Sequence, residues 1–351
     1  CQGSGSPNII PLKNNLVNGI RKASDFLMSL QLTGAFKKDS ISNLQLRLPI
    51  LVVGGGLTAL DTATESLAYY PRQVEKYTER FVNLSKQKQE EFKASLTEKE
   101  HQIFCEYLNH AKLFKEEKER AKKAKTKPNY VQIINKFGGV KIIYRRSLKE
   151  SPAYRLNHEE IVYALKEGIE FCENITPLEA MIDQNNDLIN LKCQKQDKQS
   201  ITLPVRSLLI AAGTKANIIS SKEDTDLKTE HGFLKKISQE VADKNNISAK
   251  FFTYLNHEKQ AISFFGDLHP DYHGNVVKAM ASSKDGYPEI NKLLKQQTLR
   301  KKQNIFKKLD KELIATVKHI KQLAPNIIEI IIKAPLAAKQ FKPGQFYRLQ
   351  N

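Results

Sequence analysis

Apolar positions along the chain fall into short continuous runs and into stripes of helical period. Leu48–Gly56, LPILVVGGG, is a run closed by glycines and predicts a buried parallel strand. Directly after it, Leu57, Leu60, Ala63 and Leu67 recur at helical spacing. Strand, glycine turn and helix together open a βαβ unit. Further runs predict strands at Gly138–Arg146, in two segments between 188 and 213, and at Ala261–Asp267. Residues 8–50 are mixed, with an amphipathic stretch around Leu16–Leu30; helical patterning marks the stretch from Asn157 to a stop at Gly168 followed by a short strand, and Gly274–Gln296. From 314 onward, strand alternation on both sides of Pro325-Asn326 predicts two strands.

Residues 74–130 have a different character. Val74, Tyr77, Phe81 and Leu84 form one stripe, and Ile103, Tyr107, Ala111 and Phe114 form a second. Thr97–Glu100, TEKE, has the spacing of a capping box, and a lysine run before Pro128 suits a helix C-terminus. The expectation is a charged helical hairpin inserted into the βαβ unit, exposed and projecting from it.

Gly54, Gly56 and Ala59 stand at the G-x-G-x-x-A spacing. The first glycine permits a tight turn, the second a close approach of backbone to a pyrophosphate, and the alanine close packing of helix on strand. Alone the spacing is weak; the flanking strand and helix supply its confirming context. In such a unit the second strand ends about 20 residues or a little more beyond the glycines. VKIIYRR falls near that distance only if the helical stretch is excised. Arg145 and Arg146 then stand where an acid would mark NADH. They suit a 2′-phosphate, so NADPH is favoured over the bland reading of two solvated arginines.

Composition changes the picture little. With 56 Lys and Arg against 38 Asp and Glu the formal charge is +18. Nucleic-acid binding is the sharp reading of that excess. No tryptophan and no aromatic-interleaved basic motif accompanies it, so solvated lysines are preferred and no nucleic-acid partner is expected. Cys1, Cys105, Cys172 and Cys193 form no C-x-x-C pair, so no metal or cluster site is readable and a reducing, cytoplasmic setting fits. No apolar run approaches the ~20 residues a bilayer needs, and no membrane partner is expected. A start at Cys1 reads as a lipidated terminus or as a chain cut from a longer one. The end at FKPGQFYRLQN favours the second, with both ends severed.

VVGGGLTALDTATE, YRRSLKESPAYRLNHEEIVYALKEGIEF and LLIAAGTKAN, in that order, resemble the pyridine-nucleotide domain of glutamate synthase small subunits; dihydropyrimidine dehydrogenase carries a similar module. FFGDLHPDYHGNVVKAMASSK resembles the family's closing flavin motif. The resemblance covers roughly residues 1–300. It implies an α/β fold of two interleaved Rossmann-like nucleotide-binding domains. Residues 1–45 would be the tail of the FAD domain's first segment and the crossover. Residues 46–215 would bind NAD(P)H and carry the helical insertion, and 216–305 would return to the FAD domain. By resemblance Gly54, Gly55, Gly56, Thr58, Ala59, Arg145, Arg146 and Gly213 would hold NADPH. Gly266 and Asp267 would meet the ribityl–pyrophosphate region of FAD, and the helix start at Asn275, Val276 and Val277 would face the flavin pyrimidine. An ordinary strand-end turn is the competing reading of Gly266-Asp267.

The family's first G-x-G-x-x-G and its amino-terminal cysteine clusters have no counterpart in the chain, and the insertion is not general in the family. The implied activity is hydride transfer between NADPH and FAD, with electrons passing to iron–sulfur clusters elsewhere in the full protein. The acceptor would be a partner like the glutamate synthase large subunit or a ferredoxin. Residues 312–351 resemble the start of the flavin-binding barrel of ferredoxin–NADP reductases. There Arg348 would hold a flavin phosphate, although Leu349-Gln350 do not continue that family's motif. This segment brings in a second enzyme reading, an NADH-dependent ferredoxin–NADP oxidoreductase. A non-catalytic split-gene fragment or scaffold is the third. His269 and His273 read as loop residues, and no residue is assigned a catalytic role.

Overall fold

The structure is a computed structural model, and it describes residues 5–274, 276–296, 305–325 and 327–344. The chain divides into two units. The first runs to Thr225 and takes back Thr229–Leu234; the second takes Asp226–Lys228 and the chain from Lys235 onward.

The first unit begins with β1 (Ser6–Pro7), β2 (Ile20–Lys22) and α1 (Ala23–Thr33). β3 (Ile50–Val53) leads into four helices: α2 (Leu57–Val82), α3 (Lys86–Ser95), α4 (Glu98–Ala124) and α5 (Tyr130–Lys136). β4 (Val140–Ile143), α6 (Pro152–Lys166) and β5 (Glu170–Cys172) complete two crossovers. β6 (Ile175–Ile182), β7 (Leu188–Lys195) and β8 (Ser200–Pro204) form an antiparallel three-stranded sheet. β9 (Ser207–Ile210) returns to the main sheet, β10 (Thr214–Lys215) pairs with β1, and α7 (Ser220–Glu223) and the hairpin β11 (Thr229–Glu230)–β12 (Phe233–Leu234) follow.

The main sheet has five parallel strands in the order β2-β9-β3-β4-β5. All four residues of β3 are buried, as a strand covered on both faces must be, and the apolar run ILVV supplies that. The chain leaves β3 toward β4 on one side, while β9 lies on the other. The strand order therefore reverses between β3 and β9, and the unit is a doubly wound α/β sheet of Rossmann type.

Residues 74–130 depart from the sequence-based expectation. They do not form an exposed projecting hairpin. α2 runs unbroken to Val82, and Tyr107 and Phe114 of α4 are fully buried in one cluster with Phe26, Leu30, Ile50 and Ile142. The reason lies in polar anchors that periodicity does not show. Gln73 of α2 accepts from the Leu46 amide (2.8 Å) and donates to the Leu46 carbonyl (2.8 Å), which also accepts from the Tyr107 hydroxyl (2.8 Å). Lys76 donates to the carbonyls of Ala35, Ser40 and Ser42. These bonds clamp the 35–48 segment against α2 and α4. The rest of the reading is local and holds: Thr97 and Glu100 form a capping box at the start of α4.

In the second unit α8 (Gln239–Lys244) precedes the antiparallel pair β13 (Phe252–Leu255) and β14 (Ala261–Ser263), and α9 (Val276–Lys295) follows. Then come α10 (Ile305–Leu313), the antiparallel pair β15 (Thr316–Ala324) and β16 (Ile327–Lys333), and α11 (Pro335–Gln340). β15 closes at Ala324 ahead of Pro325 and β16 opens at Ile327, so the alternation yields the two strands it predicted.

Candidate dinucleotide-binding site

The carboxyl ends of β3, β4 and β9 carry the residues singled out by sequence. In the parallel register Val53 stands beside Ile143 on one side and Ile210 on the other, so the glycine turn, Tyr144-Arg145-Arg146 and Ala211–Gly213 share one edge. The Gly54 amide donates to the Ile143 carbonyl (3.1 Å) and the Ala211 amide to the Val53 carbonyl (2.8 Å). Gly54 has φ +155°, and a Cβ there would run into the Ala211 carbonyl oxygen. A Cβ on Gly55 would run into the Tyr144 ring. A Cβ on Gly56 would meet nothing within 4 Å. The first two glycines are thus required by the protein's own packing. The third leaves space above the start of α2, where the first-turn amides of Leu57 and Thr58 have no intrahelical acceptor. That is the cradle a pyrophosphate needs, and the residues present fit the group. Thr58 is exposed at this edge and Ala59 is buried against the strand.

Arg145 and Arg146 are exposed immediately beyond β4. Their backbone is held without use of their side chains. The Asn174 amide donates to the Arg146 carbonyl (3.2 Å), and Leu148 donates to Glu173 Oε1 (2.7 Å). Ser147 and Glu150 close a reciprocal cap, and the Ser147 hydroxyl and amide hold the Glu150 carboxylate below its ordinary pKa. Gly213 takes φ +86°, its carbonyl accepts from the Asn8 amide (2.9 Å), and Asn8 Nδ2 donates to the Ala212 carbonyl (3.1 Å).

Two contributors escaped the sequence reading. Tyr144 roofs Gly55, and the Ala153 amide at the start of α6 donates to the Gly55 carbonyl (2.9 Å). α6 opens with a short turn from Pro152, capped by Ser151, and breaks at Asn157 (φ −159°, ψ 83°), where the helix predicted from the sequence begins. Ser-Pro ahead of an apolar stripe was the available signal.

The flavin-motif residues lie in the second unit. Gly266 has φ +60° and donates to Ser282 Oγ of α9 (2.7 Å). Asp267 Oδ1 accepts from the Gly274 amide (3.1 Å), bracing the loop that leads into α9, whose first residues Val276 and Val277 are exposed. Asn275 and Arg348 lie outside the described residues. His269 is fully buried beside Phe264. Its Nδ1 accepts from the Asp271 amide (3.1 Å), so its Nε2 donates to the Lys250 carbonyl (2.8 Å). Burial lowers its pKa, and both ring nitrogens are engaged by the protein's own backbone.

Burial pushes the Cys193 thiol up to about 12 and raises Cys172 as well. Among the described residues no group of three or more His, Cys, Asp or Glu is placed to hold a metal, and no helix is long and apolar enough to cross a membrane.

No family model matches the chain. The curated "Uncharacterized protein RP006" of Rickettsia prowazekii (strain Madrid E) is 37% identical over 361 residues, an alignment that takes in 100% of this chain and 46% of the relative. The chain thus spans about half the length of that relative. Among solved structures, Lactococcus lactis thioredoxin reductase is similar with a TM-score of 0.41 at 12% identity, over 83% of this chain and 64% of that one. Thioredoxin reductase from Streptococcus pyogenes MGAS5005 gives 0.34 at 11%, over 83% and 63%. A FAD-dependent pyridine nucleotide-disulphide oxidoreductase from Desulfovibrio vulgaris gives 0.36 at 11%, over 75% and 43%.

Proposed function

We propose that the chain is the nucleotide-handling part of an NADPH-dependent flavin oxidoreductase of the glutamate-synthase small-subunit kind. One observation carries the reading: the Gly54–Gly56 turn sits at the β3/β9 reversal point, with open space at Gly56 and Arg145-Arg146 on the adjacent strand end. A pyrophosphate would rest on the start of α2, and the two guanidinium groups would take a 2′-phosphate as paired donors. With NADPH and FAD both bound, the cofactors supply hydride transfer. Asp267 would orient the flavin while bracing its own loop, and the start of α9 would place backbone amides toward it. The acceptor would be an iron–sulfur centre or a protein like the glutamate synthase large subunit or a ferredoxin, in a cytoplasmic setting.

Titration calorimetry with NADPH and NADH tests this. The double variant Arg145→Ala, Arg146→Ala should weaken NADPH by about tenfold to a hundredfold, roughly 1.4–3 kcal/mol, and spare NADH. Equal loss for both nucleotides would make the arginines structural, and failure of the parent chain to bind either would remove the reading.

The paired strands β15 and β16 favour a second reading, in which a ferredoxin–NADP reductase-like barrel begins after α10 and the full protein passes electrons between NADH, ferredoxin and NADP.

A further inference from the structure

The opposite, amino-terminal edge of the first unit's parallel sheet is hollow. A cavity of about 380 Å³ opens there, a volume suited to a small ligand. Four cationic side chains line it: Arg21 from β2, Arg47 ahead of β3, Lys99 from α4 and Arg206 ahead of β9. Glu106 answers Arg47 (Nη2–Oε2 2.6 Å) and Asp187 answers Lys99 (Nζ–Oδ1 2.6 Å). Among the described residues neither Arg21 nor Arg206 forms an ion pair; Asp25 and Asp183 act on them only from farther off. Four cations against two partnering carboxylates leave two guanidinium groups without a salt bridge at one partly enclosed space.

Ile20, Ile103 and Leu188 add apolar surface to a lining that also holds Asn18, Gln45 and Ser207. Lys99, Ile103 and Glu106 stand four and three residues apart on one face of α4, so the helix supplies a wall with both a cation and an apolar side chain. The stretch that lengthens the βαβ unit thus encloses this edge. Unpaired guanidinium forks present two parallel donors that match a phosphate or carboxylate, and in a partly enclosed space the attraction is screened less than on an open surface. The apolar surface beside them suits a carbon framework.

We propose that this cavity binds a small organic anion, a phosphate ester or a polycarboxylate, held by Arg21 and Arg206. The site is separate from the dinucleotide edge and does not depend on the function assigned there.

Titration calorimetry of the full chain at low ionic strength tests it, with glucose 6-phosphate and citrate as the two probes and glucose and inorganic phosphate as controls. One or both probes should bind at a single site that weakens with added salt, glucose should not bind, and inorganic phosphate should bind at least tenfold more weakly. The double variant Arg21→Gln, Arg206→Gln should lose at least tenfold in affinity. Leu16 is 96% exposed at the rim, so Leu16→Glu tests the same point without disturbing the fold and should also weaken binding. Saturating NADPH should leave probe affinity unchanged. The proposal is overturned if neither probe binds, if the variants bind as tightly as the parent, if inorganic phosphate binds as tightly as the organic probes, or if NADPH displaces the probe.

Discussion

The two edges of one parallel sheet are built in different ways. The carboxyl edge takes its shape from consecutive residues. Gly54, Gly55 and Gly56 follow β3 directly, Tyr144-Arg145-Arg146 follow β4, and backbone hydrogen bonds from neighbouring segments hold both turns. The amino edge is assembled from residues scattered between Leu16 and Leu209, brought together by α4 and by two ion pairs. An edge made of contiguous sequence carries a recognisable motif. An edge made of distant residues carries none, however complete its chemistry.

The largest test of this contrast is whether α4 belongs to the sheet's core. Phe114 is fully buried among Tyr70, Tyr130 and the rest of the main cluster. Phe114→Ala should cost about 3–5 kcal/mol through lost transfer energy and an unfilled cavity. Urea unfolding followed by a probe on the sheet reads this directly. A loss under about 1 kcal/mol would return α4 to the status of an appendage.

Within the carboxyl edge, the glycines should separate by what each one meets. Gly56→Ala adds a methyl into open space at φ −95°, so thermal stability should hold while NADPH affinity falls by at least about tenfold, roughly 1.4 kcal/mol. Gly54→Ala should lower both, since its Cβ meets the Ala211 carbonyl. If Gly56→Ala left NADPH binding untouched, the open space would not be a phosphate cradle.

A smaller effect sharpens the flavin assignment. Asp267→Asn keeps an acceptor for the Gly274 amide but removes the charge, whereas Asp267→Ala removes both. Flavin absorbance per protein after gel filtration of the full-length protein should fall for both variants, by on the order of 1.5–3 kcal/mol in binding for Ala and less for Asn. Occupancy unchanged in both would remove Asp267 from the site.

The mildest expected effect is a pH dependence. Burial lowers the pKa of His110, whose ring packs on Phe137 and shares a hydrogen bond with Tyr70, and that of His269. Because the folded values lie below the unfolded value of about 6.5, the unfolded chain takes up protons first as pH falls. Stability from these groups is full above the unfolded pKa and declines as pH drops from there toward the folded values. Urea midpoints recorded between about pH 7.5 and 5 should fall accordingly, less steeply in His110→Gln if that variant stays folded. A midpoint flat over that range would show that neither histidine is held neutral by burial.

How far the sequence reached follows from range. Continuous apolar runs, helical stripes, the TEKE cap and the Gly54–Ala59 spacing fixed strand, turn and helix, because each depends on residues within one or two turns of chain. Only the tertiary structure decided where the second stripe packs. Its apolar residues suit either a free helical hairpin or a core helix. What selects the core is a set of hydrogen bonds from Gln73, Lys76 and Tyr107 to backbone groups 27 to 61 residues away. The same holds for the cavity at the amino edge. Arg21 and Arg206 are unremarkable as sequence, and their chemistry arises because a parallel sheet sets the starts of β2 and β9 side by side while α4 brings its own carboxylate and cation to that edge.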